Sequence, residues 1–133
     1  MGTNSLEHVE DPKIFLTLIS SWLKDDGRVH IIVPNALSLH RLIGVEMGFL
    51  DSPYAFNEND IKANHKRVYD FDTLKGDIEN SKLTVEKLEG IQLKPLTDAK
   101  LSTFHTEYKD ALNALSSLYH RHCAEIYACC KRV

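Results

Sequence analysis

Apolar residues recur at helical spacing from position 14 to 23, where Ile14, Phe15, Leu18, Ile19, Trp22 and Leu23 share one side of a 3.6-residue period. Asp11-Pro12 opens this segment. Aspartate caps a helix well, and proline at the first helical position loses no hydrogen bond. Gly27 stops it. The pattern predicts an amphipathic helix of about three turns. Next comes Arg28-Val29-His30-Ile31-Ile32-Val33, closed by Pro34-Asn35. This β-branched run predicts a buried strand. Two short helices are expected over residues 38–47 and 58–63, separated by the loop signal Asp51-Ser52-Pro53, so residues 34–70 read as a cover or lid. A further helix is expected with Asp72 as its cap and Leu74 and Ile78 on its inner side. Leu83, Val85 and Lys87, then Ile91 and Leu93, predict an extended stretch ending at Pro95. Phe104, Tyr108, Ala111, Leu112, Leu115 and Tyr119 mark a long helix, and residues 125–133 a last strand.

Helix, glycine turn and buried strand make half of a βαβ unit, which requires a parallel strand before the helix. Residues 1–6 are too short and polar for all of that strand and read as its last residues and the turn after it. The expected fold class is therefore α/β. With 133 residues, 43% of them hydrophobic, the chain has enough apolar material for one packed domain. The net charge of −3 gives no basic footprint, which argues against a nucleic-acid partner. No apolar run approaches the roughly 20 residues that span a bilayer, and no basic-then-apolar leader opens the chain. Cys123, Cys129 and Cys130 are odd in number and crowded together, a poor disulfide framework that fits a reducing, cytoplasmic setting.

Leu6-Glu7-His8-Val9, then Asp11-Pro12, a helix, Asp25-Asp26-Gly27, a hydrophobic strand and Pro34-Asn35 follow one another in an order that resembles the second half of a class I, Rossmann-like S-adenosylmethionine-dependent methyltransferase of the ubiquinone-biosynthesis-like type. Residues 90–96 resemble that family's penultimate strand and its exit, and residues 124–133 its last, antiparallel strand. The resemblance implies a single partial domain over residues 1–133: the C-terminal part of the sheet, mixed, with an antiparallel last strand and without the cofactor-binding half. In the family a glycine-rich turn after the first strand and an acidic residue after the second hold the cofactor. None of the six glycines here forms a G-x-G pair after a strand.

By position, Thr3, Asn4 and Ser5 would line the methionine end of the cofactor; equally, they are a polar turn ending a strand. Glu7 and His8 resemble a pair that binds a divalent metal in some methyltransferases acting on quinone precursors or RNA ends. The quinone-precursor pattern places a glutamate where this chain has Asn4. Alternatively, Glu7 and His8 hold the turn. As a catalytic base, His8 would contribute roughly 10² to 10⁴ in rate. His40, Arg41, His65, Arg67 and Tyr69 lie in the cover and would bind an anionic or phenolic acceptor, or else form a solvated charged face. Tyr54 and Phe56 would stack on an aromatic acceptor or pack the lid. The tail residues His120, His122, Cys123, Cys129 and Cys130 are ligand types without a C-x-x-C spacing.

The resemblance thus implies methyl transfer to a small-molecule acceptor, at oxygen, by a longer parent chain of which this fragment alone would be inactive. The alternative is a non-catalytic module that retains half of the fold to dimerise, through an exposed sheet edge, or to bind a partner. A metal-binding domain built on Glu7, His8 and the tail is a third reading. Lys82 stands at a helix-to-strand turn where a left-handed backbone would favour glycine.

Overall fold

A four-stranded sheet in the order β1-β2-β4-β3 carries the chain's core, formed by β1 (Gly2–Thr3), β2 (Val29–Pro34), β3 (Leu83–Ile91) and β4 (Glu125–Arg132). The computed structural model describes residues 2, 3 and 6–133, residues 2 and 3 by their backbone only. β1 is parallel to β2, and β4 is antiparallel to both of its neighbours, so β3 runs in the direction of β2. The fold is mixed α/β with an antiparallel last strand.

α1 (Pro12–Trp22) connects β1 to β2. Asp11 caps it, its carboxylate accepting from the Lys13 and Ile14 amides at 3.0 and 3.2 Å. The predicted apolar side is only partly the buried one. Leu16, Ile19 and Leu23 enter the core, whereas Ile14, Leu18 and Trp22 are 68%, 49% and 60% exposed. Apolar residues occupy more than half of this helix's circumference, and periodicity alone cannot say which part meets the sheet.

α4 (Phe71–Glu79) lies beside α1 and buries Phe71, Leu74 and Ile78. Its cap is Asp70 and not the expected Asp72: Asp70 accepts from the Thr73 amide at 2.7 Å while Thr73 Oγ1 accepts from the Asp70 amide at 2.9 Å. This reciprocal pair satisfies two helix-end donors and fixes the start two residues earlier. Lys82 does not adopt a left-handed backbone; among the described non-glycine residues only Asn64 and Gln92 do.

The inner face of the sheet carries Val29, Ile31 and Val33 from β2 and Ile126, Ala128 and Cys130 from β4. In β3 the alternation breaks between Val85 and Lys87, so Leu88, and not Lys87, takes the next inward place opposite Ala128. The extra residue, Glu86, pairs with Arg28 at the sheet's end. The outer face remains partly open, with His30 exposed and hydrogen-bonded to the Tyr127 hydroxyl at 2.7 Å.

The expected long helix after residue 104 is divided. α5 (Asp98–Leu101) ends before Phe104, α6 (Thr106–Ser116) buries none of its residues, and a one-turn 3₁₀ helix (His120–His122) follows. Tyr108 and Leu115, two of the residues that predicted an inward face, are exposed.

Candidate functional site

Parallel β1 and β2 end at the same edge of the sheet, and in open α/β sheets the carboxyl ends of parallel strands are where ligand crevices form. Two segments meet there: residues 6–10 after β1, and the cover after β2, which contains α2 (Leu39–Glu46) and α3 (Glu58–Lys62). Fully buried Asn35 starts the cover. Its amide donates to the Arg121 and Cys123 carbonyls at 2.9 and 2.8 Å, and its side-chain oxygen accepts from the Leu37 amide at 3.0 Å. The cover then returns over both strand ends. Tyr69 bridges Asn35, the Lys66 amide donates to the Glu7 carbonyl at 2.7 Å, and Arg67 donates to the carbonyls of Leu6 and Glu10 at 2.8 and 3.1 Å.

This return places His65 beside Glu7 and His8. One ligand atom from each of the three lies within 4.8 Å of the others, and the His8 and His65 rings meet edge to face with centroids 4.7 Å apart. Glu7 is buried, and among the described residues its Oε2 has no hydrogen-bond partner. Burial is the main cause holding its carboxyl above the ordinary value, against the lowering effect of a backbone hydrogen bond and the neighbouring histidines. An unsatisfied buried carboxylate oxygen costs at least about 1–3 kcal/mol, so this atom is short of a cation or donor.

His65 is oriented from behind. Its Nδ1 bonds Asp60 Oδ1 at 2.8 Å, and an ionised carboxylate only accepts, so Nδ1 carries a proton and Nε2 is the nitrogen left to ligate an ion. Asp60 is held in turn by Arg41 Nη1 at 3.0 Å and by the Asn57 amide at 2.9 Å. Burial works to raise the Asp60 carboxyl, but the Asn57 amide, His65 and Arg41 outweigh it and hold the group below its usual value. The donor set therefore fits a divalent ion: one carboxylate and two imidazoles, one of them backed by a carboxylate.

The other expected acceptor-binding residues divide. Arg41 is buried and committed to the cover's own frame, with Nε on the Pro53 carbonyl at 3.0 Å and Nη2 on the Ala55 carbonyl besides Asp60. Arg67 spends two guanidinium nitrogens on the turn after β1, and buried Tyr69 gives its hydroxyl to Asp77 at 2.7 Å. These three hold the cover in place. His40 differs: it is half-buried, and its Nδ1 has no partner among the described residues. Burial, then Lys94 and Arg41, lower its pKa, which keeps the ring neutral near pH 7. It lines a groove of about 590 Å³ with Gly44, Phe49, Phe56 and Ile61. Tyr54 is exposed and bonded to Asp70 at 2.6 Å.

Asn4, Ser5 and the Thr3 side chain, the expected cofactor contacts, lie outside the described residues. The tail residues do not join the site. His122 Nδ1 donates to the Leu37 carbonyl at 2.9 Å, Cys123 and Cys130 are buried, and among the described residues the tail forms no three-ligand group. Sequence reasoning overlooked Asp60, whose signal is the capping pair Asn57-x-x-Asp60 five residues before a histidine. Comparison of the chain with protein-family models and with curated proteins finds no match.

Proposed function

We propose that the chain is the C-terminal part of a Rossmann-like methyltransferase that moves a methyl group from S-adenosylmethionine to the oxygen of a small acceptor. The observation that supports this most is the direction of the strands. β1 and β2 are parallel with α1 as their crossover, and the last strand β4 is antiparallel, as the resemblance implies; β4 lies between β2 and β3. The sequence supplies no glycine turn for the cofactor, so cofactor binding belongs to a longer chain.

Methyl transfer from a sulfonium needs alignment, exclusion of water and, for a hydroxyl acceptor, loss of a proton. The cover packs over the ends of β1 and β2, where exposed His8, when it does not ligate an ion, would take the proton. A divalent ion held by Glu7 and His8 would lower the pKa of an acceptor hydroxyl. His40 and the groove beside it are the acceptor contacts that the cover leaves accessible.

The test is calorimetric titration of S-adenosylmethionine, then S-adenosylhomocysteine, into this chain and into a version extended upstream through the glycine turn. The extended form is expected to bind at micromolar Kd, about −8 kcal/mol, and the 133-residue form not at all. An extended chain that fails to bind ends the methyltransferase reading.

A second reading, a dimerising or partner-binding module, is favoured by the exposed Ile14, Leu18 and Trp22 on α1. It predicts a stable dimer in sedimentation equilibrium that Leu18→Glu returns to monomer with helix content unchanged. A wild-type monomer at high concentration removes it.

A further inference from the structure

We infer that Glu7, His8 and His65 form a site for a late first-row divalent cation of the zinc or cobalt class, that its third ligand is delivered by the cover, and that Asp60 is the positioning residue for that ligand. This site stands on its own donors and does not depend on the methyl-transfer reading. Four observations converge. The three ligand atoms lie within 4.8 Å of one another. The Glu7 side chain is only 8% exposed, and its Oε2 is without a partner among the described residues. The Asp60 hydrogen bond commits His65 Nδ1 and leaves Nε2 as the nitrogen that can ligate an ion. His8 is exposed enough to rotate onto an ion about 2.1 Å away. Two imidazoles and one carboxylate select zinc, cobalt or iron over magnesium and calcium, which prefer all-oxygen sites.

The topology gives the ion a structural consequence. Glu7 and His8 belong to the turn after β1, whereas His65 sits 57 positions after His8, at the end of the cover. One ion bound to all three ties the cover to the strand ends. Asp60 links this tie to α2 through Arg41, so the orientation of His65 depends on the cover's own folding.

The experiment is titration of Co²⁺ into the 133-residue protein, followed by visible absorption, with amide hydrogen exchange over residues 57–66 read in the same samples. One ion per chain is expected, with ligand-field bands of nitrogen and oxygen donors, no thiolate charge-transfer band, and slowed exchange in the cover. Asp60→Asn is expected to weaken binding about 10–100-fold. His65→Ala is expected to abolish it, as is His8→Ala, a change at an exposed side chain that leaves the fold intact. A thiolate band, unchanged affinity in His65→Ala or His8→Ala, Mg²⁺ binding as tight as Co²⁺, or cover exchange indifferent to the ion would each overturn the proposal.

Discussion

Gly90→Ala is expected to cost about 3 kcal/mol of stability, at the upper end for overpacking, and to lower the urea midpoint accordingly. An added Cβ at Gly90 would stand 2.0 Å from the His120 carbonyl oxygen and 2.6 Å from its carbon. These are backbone atoms, so no rotamer change relieves the clash. Neither partner can retreat cheaply. Gly90 is paired with Ile126, one pair from the end of the β3–β4 ladder, and the 3₁₀ turn carrying His120 is tied to Asn35 through the Arg121 and Cys123 carbonyls. Displacing that turn also moves the start of the cover, so Gly90→Ala reaches the candidate site through Asn35. Gly76→Ala is the control: it has nothing within 4 Å of the added carbon and lies inside α4, so it is expected to stabilise by about 0.5–1 kcal/mol. Equal midpoints for Gly90→Ala and wild type would mean that the 3₁₀ turn does not pack on β3 as described.

Arg41→Met is expected to remove about 3–5 kcal/mol of protection from the cover while leaving the sheet's unfolding midpoint nearly in place. The Arg41 and Asp60 side chains are 4% and 5% exposed, so removing the guanidinium leaves a buried carboxylate whose remaining side-chain partner is His65. The Pro53 and Ala55 carbonyls lose their donor at the same time. The damage is local because the buried hydrophobic cluster is built from β2, β3, β4, α1 and α4 with Leu6 and Tyr69, and contains no residue of α2 or α3. Hydrogen exchange resolved by segment is the measurement. Fast exchange confined to residues 53–65 is the expected result. A uniform loss over the whole chain would mean that the cover and the sheet unfold as one unit, and no loss would mean that Arg41 does not anchor the cover.

Local signals made several elements legible before any coordinates. Asp11-Pro12 starts α1 because capping and proline chemistry act within a few residues, whereas the helix ends at Trp22 with Leu23 as its cap, before the expected stop at Gly27. The β-branched Val29, Ile31, Ile32 and Val33 announced β2, whose burial alternates, with Val29, Ile31 and Val33 buried and His30 exposed. The site was legible in part for the same reason: Glu7 and His8 are adjacent in sequence, and His65, Arg67 and Tyr69 were recognised as cover residues with side chains able to bond.

What the sequence could not assign was the partner of each side chain. Arg41, Arg67 and Tyr69 have the chemistry of acceptor-binding residues, yet buried Asp60, the Leu6 and Glu10 carbonyls and Asp77 engage them first. His65 moved the other way, from a cover residue to a neighbour of Glu7 and His8, because the chain between them folds back across the strand ends.

By itself, then, the sequence determined α1 with its cap at Asp11, the strands β2 and β4, and that the class is α/β, since these follow from interactions among residues a few positions apart. Only the tertiary structure decided which side of α1 meets the sheet, that α6 buries none of its residues, that Leu88 replaces Lys87 on the inner face, and that Glu7, His8 and His65 converge in front of Asp60. Those outcomes depend on contacts between residues tens of positions apart, and on competition among polar partners for each buried group, neither of which leaves a periodic trace in the chain.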